Sequence, residues 1–374
     1  MKLRKKKLLL LSCNQFGTFT TVYKICEYAS SIFDITVICW DYNKPKMALP
    51  NINVVYVSRK GNVIQRNIKL FKKYLEFIKK DYDFVYIKYQ KGVSLVKILS
   101  KRSDLLLDIR TLSVCRSNFR RNFEDFLLRL EDKCFKYRSI LSHELAKKLR
   151  LRKYIFFPLG ADPFEIQERT CEFLSFLYVG TFEGRNLSSC LKGFELFLME
   201  KKLTGSVSFD IVGDGPEYDK IKQQVINSQW LSNTVHLYGR IPHNKLLPFF
   251  KKSQVGVSYI PITGWYDHQP PTKTYEYLLA GQVVLGTNTA AHQHLKNDPN
   301  VQLINDDVKS VKEGFTDIWE KYRTGTLTFS LEDYSGFTWA NIINQRFLPF
   351  IESVVESKEK MIFQDDEESL SKII

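Results

Sequence analysis

The chain has 374 residues, 44% of them hydrophobic, which is more than one ordinary domain accounts for and enough to bury a substantial core. Seven scattered cysteines form no CxxC pair, which argues against a disulfide or zinc framework and suits a reducing cytoplasm. The net charge of +14 is uneven: residues 1–153 carry 34 lysines and arginines against 13 carboxylates, whereas the remainder is acidic by 7.

From the N-terminus, a basic leader precedes LLLLSC, an apolar run too short for the 7 to 15 residues of a signal peptide core, and it reads as a buried first strand. Strand-length runs then alternate with helical patterns. They are LLLLS (8–12) with a helix from about Thr20, ITVICW (35–40), INVVYV (52–57), FVYIKY (84–89), LLLDI (105–109) with a helix through about Lys136, SILS (139–142) and YIFF (154–157). Between INVVYV and FVYIKY, RNIKLFKKYLEFIKK (66–80) reads as an amphipathic helix with Ile68, Phe71, Leu75 and Ile78 on one stripe and lysines elsewhere. Such a basic half can meet nucleic acid, an anionic membrane surface or a phosphorylated acceptor. No apolar stretch approaches the ~18 residues of a membrane span.

PLGADPFE (158–165) lacks periodicity and reads as a linker. Beyond it the alternation restarts with FLSFLYVG (173–180), a helix from about Leu187, VSFDIVG (207–213), a helix from Glu217, TVHLYG (234–239), a short helix near Asn244, VGVSYI (255–260) and VVLGT (283–287). Strands alternating with helices and without hairpin signals predict two α/β domains with doubly wound parallel sheets. In such sheets ligands sit beyond the C-terminal strand ends, where glycine loops let them approach the backbone. Gly17-Thr18, the loop Gly180 to Asn186, and Gly213-Asp214-Gly215 all follow predicted strands.

No GxGxxG or Walker motif is present, so phosphate recognition would fall to helix ends and cations. The stretch PPTKTYEYLLAG (270–281) supplies both. Its prolines stiffen the approach to a helix, Thr272 is expected to cap it, and Lys273 to Glu276 then form the first turn. That turn would hold a diphosphate while Glu276 accepts hydrogen bonds from sugar hydroxyls. The pair Asp81 and Asp83 precedes a strand and reads as structural, and the histidines show no metal-ligand spacing.

Four segments taken together, FLYVGTFEGRNL, FDIVGDGPEYDKI, VHLYGRIPHNKLLPFF and PPTKTYEYLLAGQVVLGTN, follow one another over about 110 residues. They resemble the retaining glycosyltransferases of the GT-B fold, the family 4-like group that builds bacterial capsules, exopolysaccharides and O-antigens. The resemblance implies an acceptor-binding N-terminal domain (1–160) and a nucleotide-sugar-binding domain (161–336) facing it across a cleft. A helix (337–356) would cross back, and 357–374 would be a flexible tail.

It also implies roles. Lys273 and Arg185 would bind the diphosphate and Glu276 the ribose, making these three the catalytic set. Gly239, Arg240 and Ile241 would meet the base. Gly17, Thr18, Thr181, Gly213, Gly215, His268, Pro271, Thr272 and Tyr275 would complete the donor site, and Arg110, Thr111 and Arg116 would face the acceptor. Where many members carry a glutamate and an arginine, this chain has His268 and Thr181, so those tasks pass to Asp267 or His268 and to Arg185. The implied reaction needs no metal or other cofactor beyond the nucleotide-sugar co-substrate. The implied partners are that donor, a glycan or polyprenyl-diphosphate-linked acceptor and an anionic membrane surface, without nucleic acid. The expected location is the cytoplasm, at the inner membrane face. An epimerase of the same fold, or an inactive nucleotide-sugar-binding homologue, would use the same phosphate site.

Overall fold

The computed structural model describes residues 5–113, 115, 117–166, 168–170, 172–264, 266–269 and 271–355. Arg116, Pro270 and the tail from 357 therefore lie outside the described residues. The chain divides into two compact units, the first running to Leu159 and resuming at Trp339, the second spanning Gly160–Thr338.

The first unit holds seven parallel strands: β1 (Lys6–Ser12), β2 (Phe33–Asp41), β3 (Ile52–Ser58), β4 (Phe84–Lys88), β5 (Leu105–Ile109), β6 (Tyr137–Ile140) and β7 (Ile155–Phe156), in the order β3-β2-β1-β4-β5-β6-β7. The leucine run is the centre of this sheet. Leu8 and Leu10 pack toward the helix Thr20–Ala29 and the C-terminal segment with Trp339, Ile343 and Phe347, while Leu9 and Leu11 pack toward Leu70, Tyr74 and Val96 on the other face. A strand covered on both faces reads as a continuous apolar run, which is why it imitates a leader peptide.

The basic helix departs from expectation at both start and face. Asn62 accepts from Gln65 N and the Gln65 side chain accepts from Asn62 N, a capping box that starts the helix at Val63 rather than Arg66. Its buried side chains are Leu70, Tyr74, Phe77 and Ile78, so Ile68 is exposed rather than part of the inward stripe. The helix expected to run through Lys136 is Asn118–Asp132.

The second unit holds β8 (Leu174–Val179), β9 (Val207–Val212), β10 (Val235–Leu237), β11 (Val255–Ser258), β12 (Val283–Thr287) and β13 (Val301–Ile304), all parallel, in the order β10-β9-β8-β11-β12-β13. In both units the strand order reverses beside the first strand, which is the doubly wound arrangement expected. The strand β13 and the helix Val308–Arg323 after it were not among the predicted elements. Among the described residues no helix is long and apolar enough to cross a membrane.

Candidate functional site

At the C-terminal ends of β8, β9 and β10 three glycine turns pack backbone against backbone. Gly213 N donates to the Gly239 carbonyl at 2.8 Å, and a Cβ on Gly213 would lie 1.8 Å from the Gly180 carbonyl oxygen. Only glycine fits there. Gly215 allows the next approach, because its added Cβ would stand 3.0 Å from Glu183 N and its φ is +158°. Phe182 anchors the first turn by burying itself against Tyr218, and the Tyr178 hydroxyl pins it by donating to the Thr181 carbonyl at 3.0 Å.

Two adjoining recesses open over these turns, sharing Val179, Gly180 and Thr181. One, of about 450 Å³, is walled by Gly213, Asp214, Gly215, Arg240 and Ile241. The other, of about 220 Å³, is walled by Arg185, Ser258, Ile260, Pro271, Thr272 and Lys273. The predicted diphosphate residues Lys273 and Arg185 thus share one recess, with Thr181 beside them, and of the predicted base-side residues Arg240 and Ile241 line its neighbour while Gly239 does not.

The helix Thr272–Leu279 that presents Lys273 is held from beneath. Tyr277 lies flat on Gly256, where an added Cβ would sit 2.1 Å from its ring, and its hydroxyl accepts from Val179 N at 2.9 Å. Thr274 shares hydrogen bonds with Ser258 Oγ at 2.7 Å and with His292 Nε2 at 2.8 Å, while His292 Nδ1 lies 2.7 Å from the Thr287 carbonyl. A carbonyl only accepts, so Nδ1 carries the proton, Thr274 donates to Nε2 and Ser258 donates to Thr274. This chain fixes the helix over β11 and β12. Sequence reading missed it, because each partner is 16 or 18 residues from Thr274 and no local pattern marks it.

Burial pushes the His292 imidazole down to about 4, with the hydrogen bond to the Thr287 carbonyl opposing. An unfolded histidine titrates near 6.5, so the unfolded chain takes up a proton that the fold refuses. The resulting stability is complete above pH 6.5 and is lost as pH falls to about 4, by roughly 3 kcal/mol. His292→Gln is expected to flatten this acid limb in urea titrations at stepped pH; an unchanged slope would show that the imidazole is not the group responsible.

Several placements correct the sequence expectations. Thr272 does not cap: Pro271 occupies the N-cap position without a side-chain bond, and Thr272 is the first helical residue. Lys273 and Glu276 are not independent, since Lys273 Nζ donates to Glu276 Oε2 at 2.5 Å, with His243 Nε2 3.6 Å from the same oxygen. Burial alone would raise the Glu276 carboxyl, but the neighbouring His243 imidazole and the Lys273 ammonium outweigh it and hold the carboxyl below its ordinary value. Tyr275 is a core residue against Phe337, its ring 4.5 Å away, and does not line either recess.

His268 and Asp267 also stand outside the walls of both recesses. Asp267 accepts from Ala290 N at 2.8 Å and so starts the turn before β13. Arg185 lies in the recess with its guanidinium 4.4 Å from the Tyr266 ring centroid.

In the first unit, Gly17 (φ +85°) lies in a turn beneath Met47, and the Thr18 hydroxyl donates to the Gln15 carbonyl at 2.7 Å. Thr111 Oγ1 donates to the Leu112 carbonyl. Arg110 is not an open acceptor contact, because it is buried, with Nε donating to Asp108 at 2.7 Å and Nη1 to the Phe157 carbonyl at 2.7 Å. Asp83 accepts from Lys7 N at the N-terminal edge of β1, the edge away from the strand ends that carry the turns. Among the described residues no three His, Cys, Asp or Glu side chains stand where they could hold one metal ion.

No protein-family profile matches the chain, and no curated protein sequence does. Solved structures match over nearly its whole length. Sucrose-phosphate synthase from Thermosynechococcus elongatus is 15% identical with a TM-score of 0.70, covering 95% of this chain and 100% of that one. The lipopolysaccharide outer core galactosyltransferase WaaB is 14% identical with a TM-score of 0.65, covering 95% and 100%. Anabaena HepE, solved with UDP and glucose, is 14% identical with a TM-score of 0.61, covering 98% and 100%. Identities this low bear on architecture alone, and what they establish, with the two doubly wound sheets, is that this chain has the GT-B fold.

Proposed function

We propose that this protein is a glycosyltransferase that moves a sugar from a nucleotide-sugar donor to a glycan or lipid-linked acceptor, with retention, in the assembly of a bacterial surface polysaccharide. The observation that carries the reading is the pair of adjoining recesses, one presenting Lys273, Arg185 and a helix N-terminus, the other the glycine turns with Arg240 and Ile241. A diphosphate fits the first by charge and dipole, and a nucleoside fits the second by shape and backbone groups. HepE binds UDP and glucose and WaaB is a galactosyltransferase, which supports the same assignment for this fold.

On this reading the Lys273–Glu276 ion pair opens when donor binds. The ammonium turns to the diphosphate, and the released carboxylate accepts from ribose hydroxyls. The bond from the sugar to the diphosphate breaks while the acceptor oxygen attacks on the same face, and the departing phosphate oxygen takes the acceptor proton. Cations that neutralise the developing diphosphate charge lower the barrier by several kcal/mol. No metal takes part in the proposed step.

The reading is tested by thermal unfolding with UDP, GDP and ADP at low and high salt. One diphosphate at ~100 times its Kd is expected to stabilise the fold by about 2.7 kcal/mol. Equal, salt-sensitive shifts for all three, or none, would remove the donor assignment, and a mass-spectrometric screen of donors then identifies the sugar.

A further inference from the structure

The helix Asn118–Asp132 turns its apolar row outward. Phe119, Phe123, Phe126 and Leu130 recur at helical spacing and are all exposed, while the buried side carries Leu128 with Asp125 and Asp132. The C-terminal half of that row walls a groove of about 630 Å³, where Phe126 and Leu130 stand beside six cations, among them Lys133, Arg150, Arg152 and Lys153. Its single carboxylate, Asp132, is already paired with Arg138 at 2.6 Å. Among the described residues Lys133, Arg150, Arg152 and Lys153 pair with no carboxylate, so the groove holds a surplus of positive charge next to an apolar wall.

The chain carries the complement to this groove. MIFQDDEE (361–368) sets three apolar residues before four successive carboxylates, the longest acidic run in the sequence. These residues lie outside the described ones, but the point they start from is fixed. Phe347 packs against Phe157, just beyond the end of β7, whereas Phe350 packs against Phe84 and Tyr137, which open β4 and β6. The helix Leu348–Val355 therefore runs toward the edge where the strands begin. The groove opens at that same edge, since Arg138 is the second residue of β6 and Lys153 comes two before β7. Helix and groove lie on opposite faces of the sheet, a path of about two helix diameters of ~10 Å each. Asp365 stands ten residues beyond Val355, a reach of up to ~33 Å, which covers that path.

We propose that residues 361–368 dock in this groove in cis, Ile362 and Phe363 against Phe126 and Leu130, and the four carboxylates over the cations. Single exposed ion pairs are weak, so the contact depends on an array of charges beside an apolar anchor, and it weakens with salt. A second copy could offer the same segment, but tethering supplies an effective concentration of about millimolar, so the cis contact prevails in dilute solution. Any anion from outside must displace the segment to reach the groove. The contact lies within the first unit and stands apart from the donor reading.

Hydrogen exchange of the full chain, read on peptides covering 361–368, tests the proposal. At low salt these amides are expected to exchange at least about tenfold more slowly than at about 1 M salt, and equally at high and low protein concentration. Arg150→Glu, Arg152→Glu, Lys153→Glu together should abolish the protection, with thermal unfolding unchanged because all three side chains are exposed. Adding Asp365→Lys, Asp366→Lys, Glu367→Lys to that variant should restore it. A labelled polyglutamate peptide should bind the chain carrying only the three tail changes at least about tenfold more tightly than the unaltered chain, whose groove is occupied. Exchange without protection at low salt, protection indifferent to the groove changes, protection lost on dilution, a charge exchange that restores nothing, or equal polyglutamate binding to both chains would each overturn the proposal.

Discussion

Lys273→Met is expected to weaken nucleoside diphosphate binding by about 10- to 100-fold, the worth of one charge-assisted contact to phosphate. Arg185 and the helix N-terminus remain in the recess, so the loss is partial in binding and larger in turnover, where the leaving diphosphate gains charge. The resting ion pair makes the partner substitution informative. Glu276→Gln frees Lys273 from the carboxylate oxygen now 2.5 Å away, so binding of inorganic pyrophosphate should hold or tighten. Binding of UDP should weaken relative to pyrophosphate, because the amide is a poorer acceptor for ribose hydroxyls. Calorimetric titration of both ligands against both variants measures these opposed signs. UDP affinity unaltered in Lys273→Met would dismiss the diphosphate assignment and the proposed activity with it.

Arg110→Met should be among the most destabilising single changes in the first unit, costing about 3 to 5 kcal/mol. Asp108 is wholly buried at the end of β5, accepting from Tyr86 Oη at 2.5 Å and Ser139 Oγ at 2.6 Å as well as from Arg110. Removing the guanidinium strands that carboxylate without a cation, and also frees the Phe157 carbonyl beyond β7. The double change Asp108→Asn, Arg110→Met should recover most of the loss, since an amide can keep both hydroxyl partners. Urea unfolding of the two variants and of Asp108→Asn closes the cycle. Additive losses would show that the pair is uncoupled.

Much of the scaffold was legible because its determinants are local. Continuous apolar runs such as LLLLS and VVLGT can be satisfied only in sheets covered on both faces, and Gly213 and Gly215 mark turns that tolerate no Cβ. The helix after VGVSYI was readable from its prolines, and so was the placing of Lys273 at its start. Less legible were boundaries and faces. The Asn62–Gln65 capping box moved one helix start by three residues, and the outward phenylalanine row ran against the rule by which inward faces are assigned from apolar spacing.

By itself, then, the order of residues determined the two doubly wound sheets, the glycine turns at their strand ends and the placing of Lys273 and Glu276 in the first turns of one helix. Side-chain partnership was decided only in three dimensions. Arg110 was claimed by Asp108, Glu276 by Lys273 and His243, Thr274 by Ser258 and His292, and Tyr275 by Phe337. The physical reason is that backbone preference acts over a few neighbours, whereas burying a charge or hydroxyl obliges it to find a partner wherever the fold brings one, often many residues away.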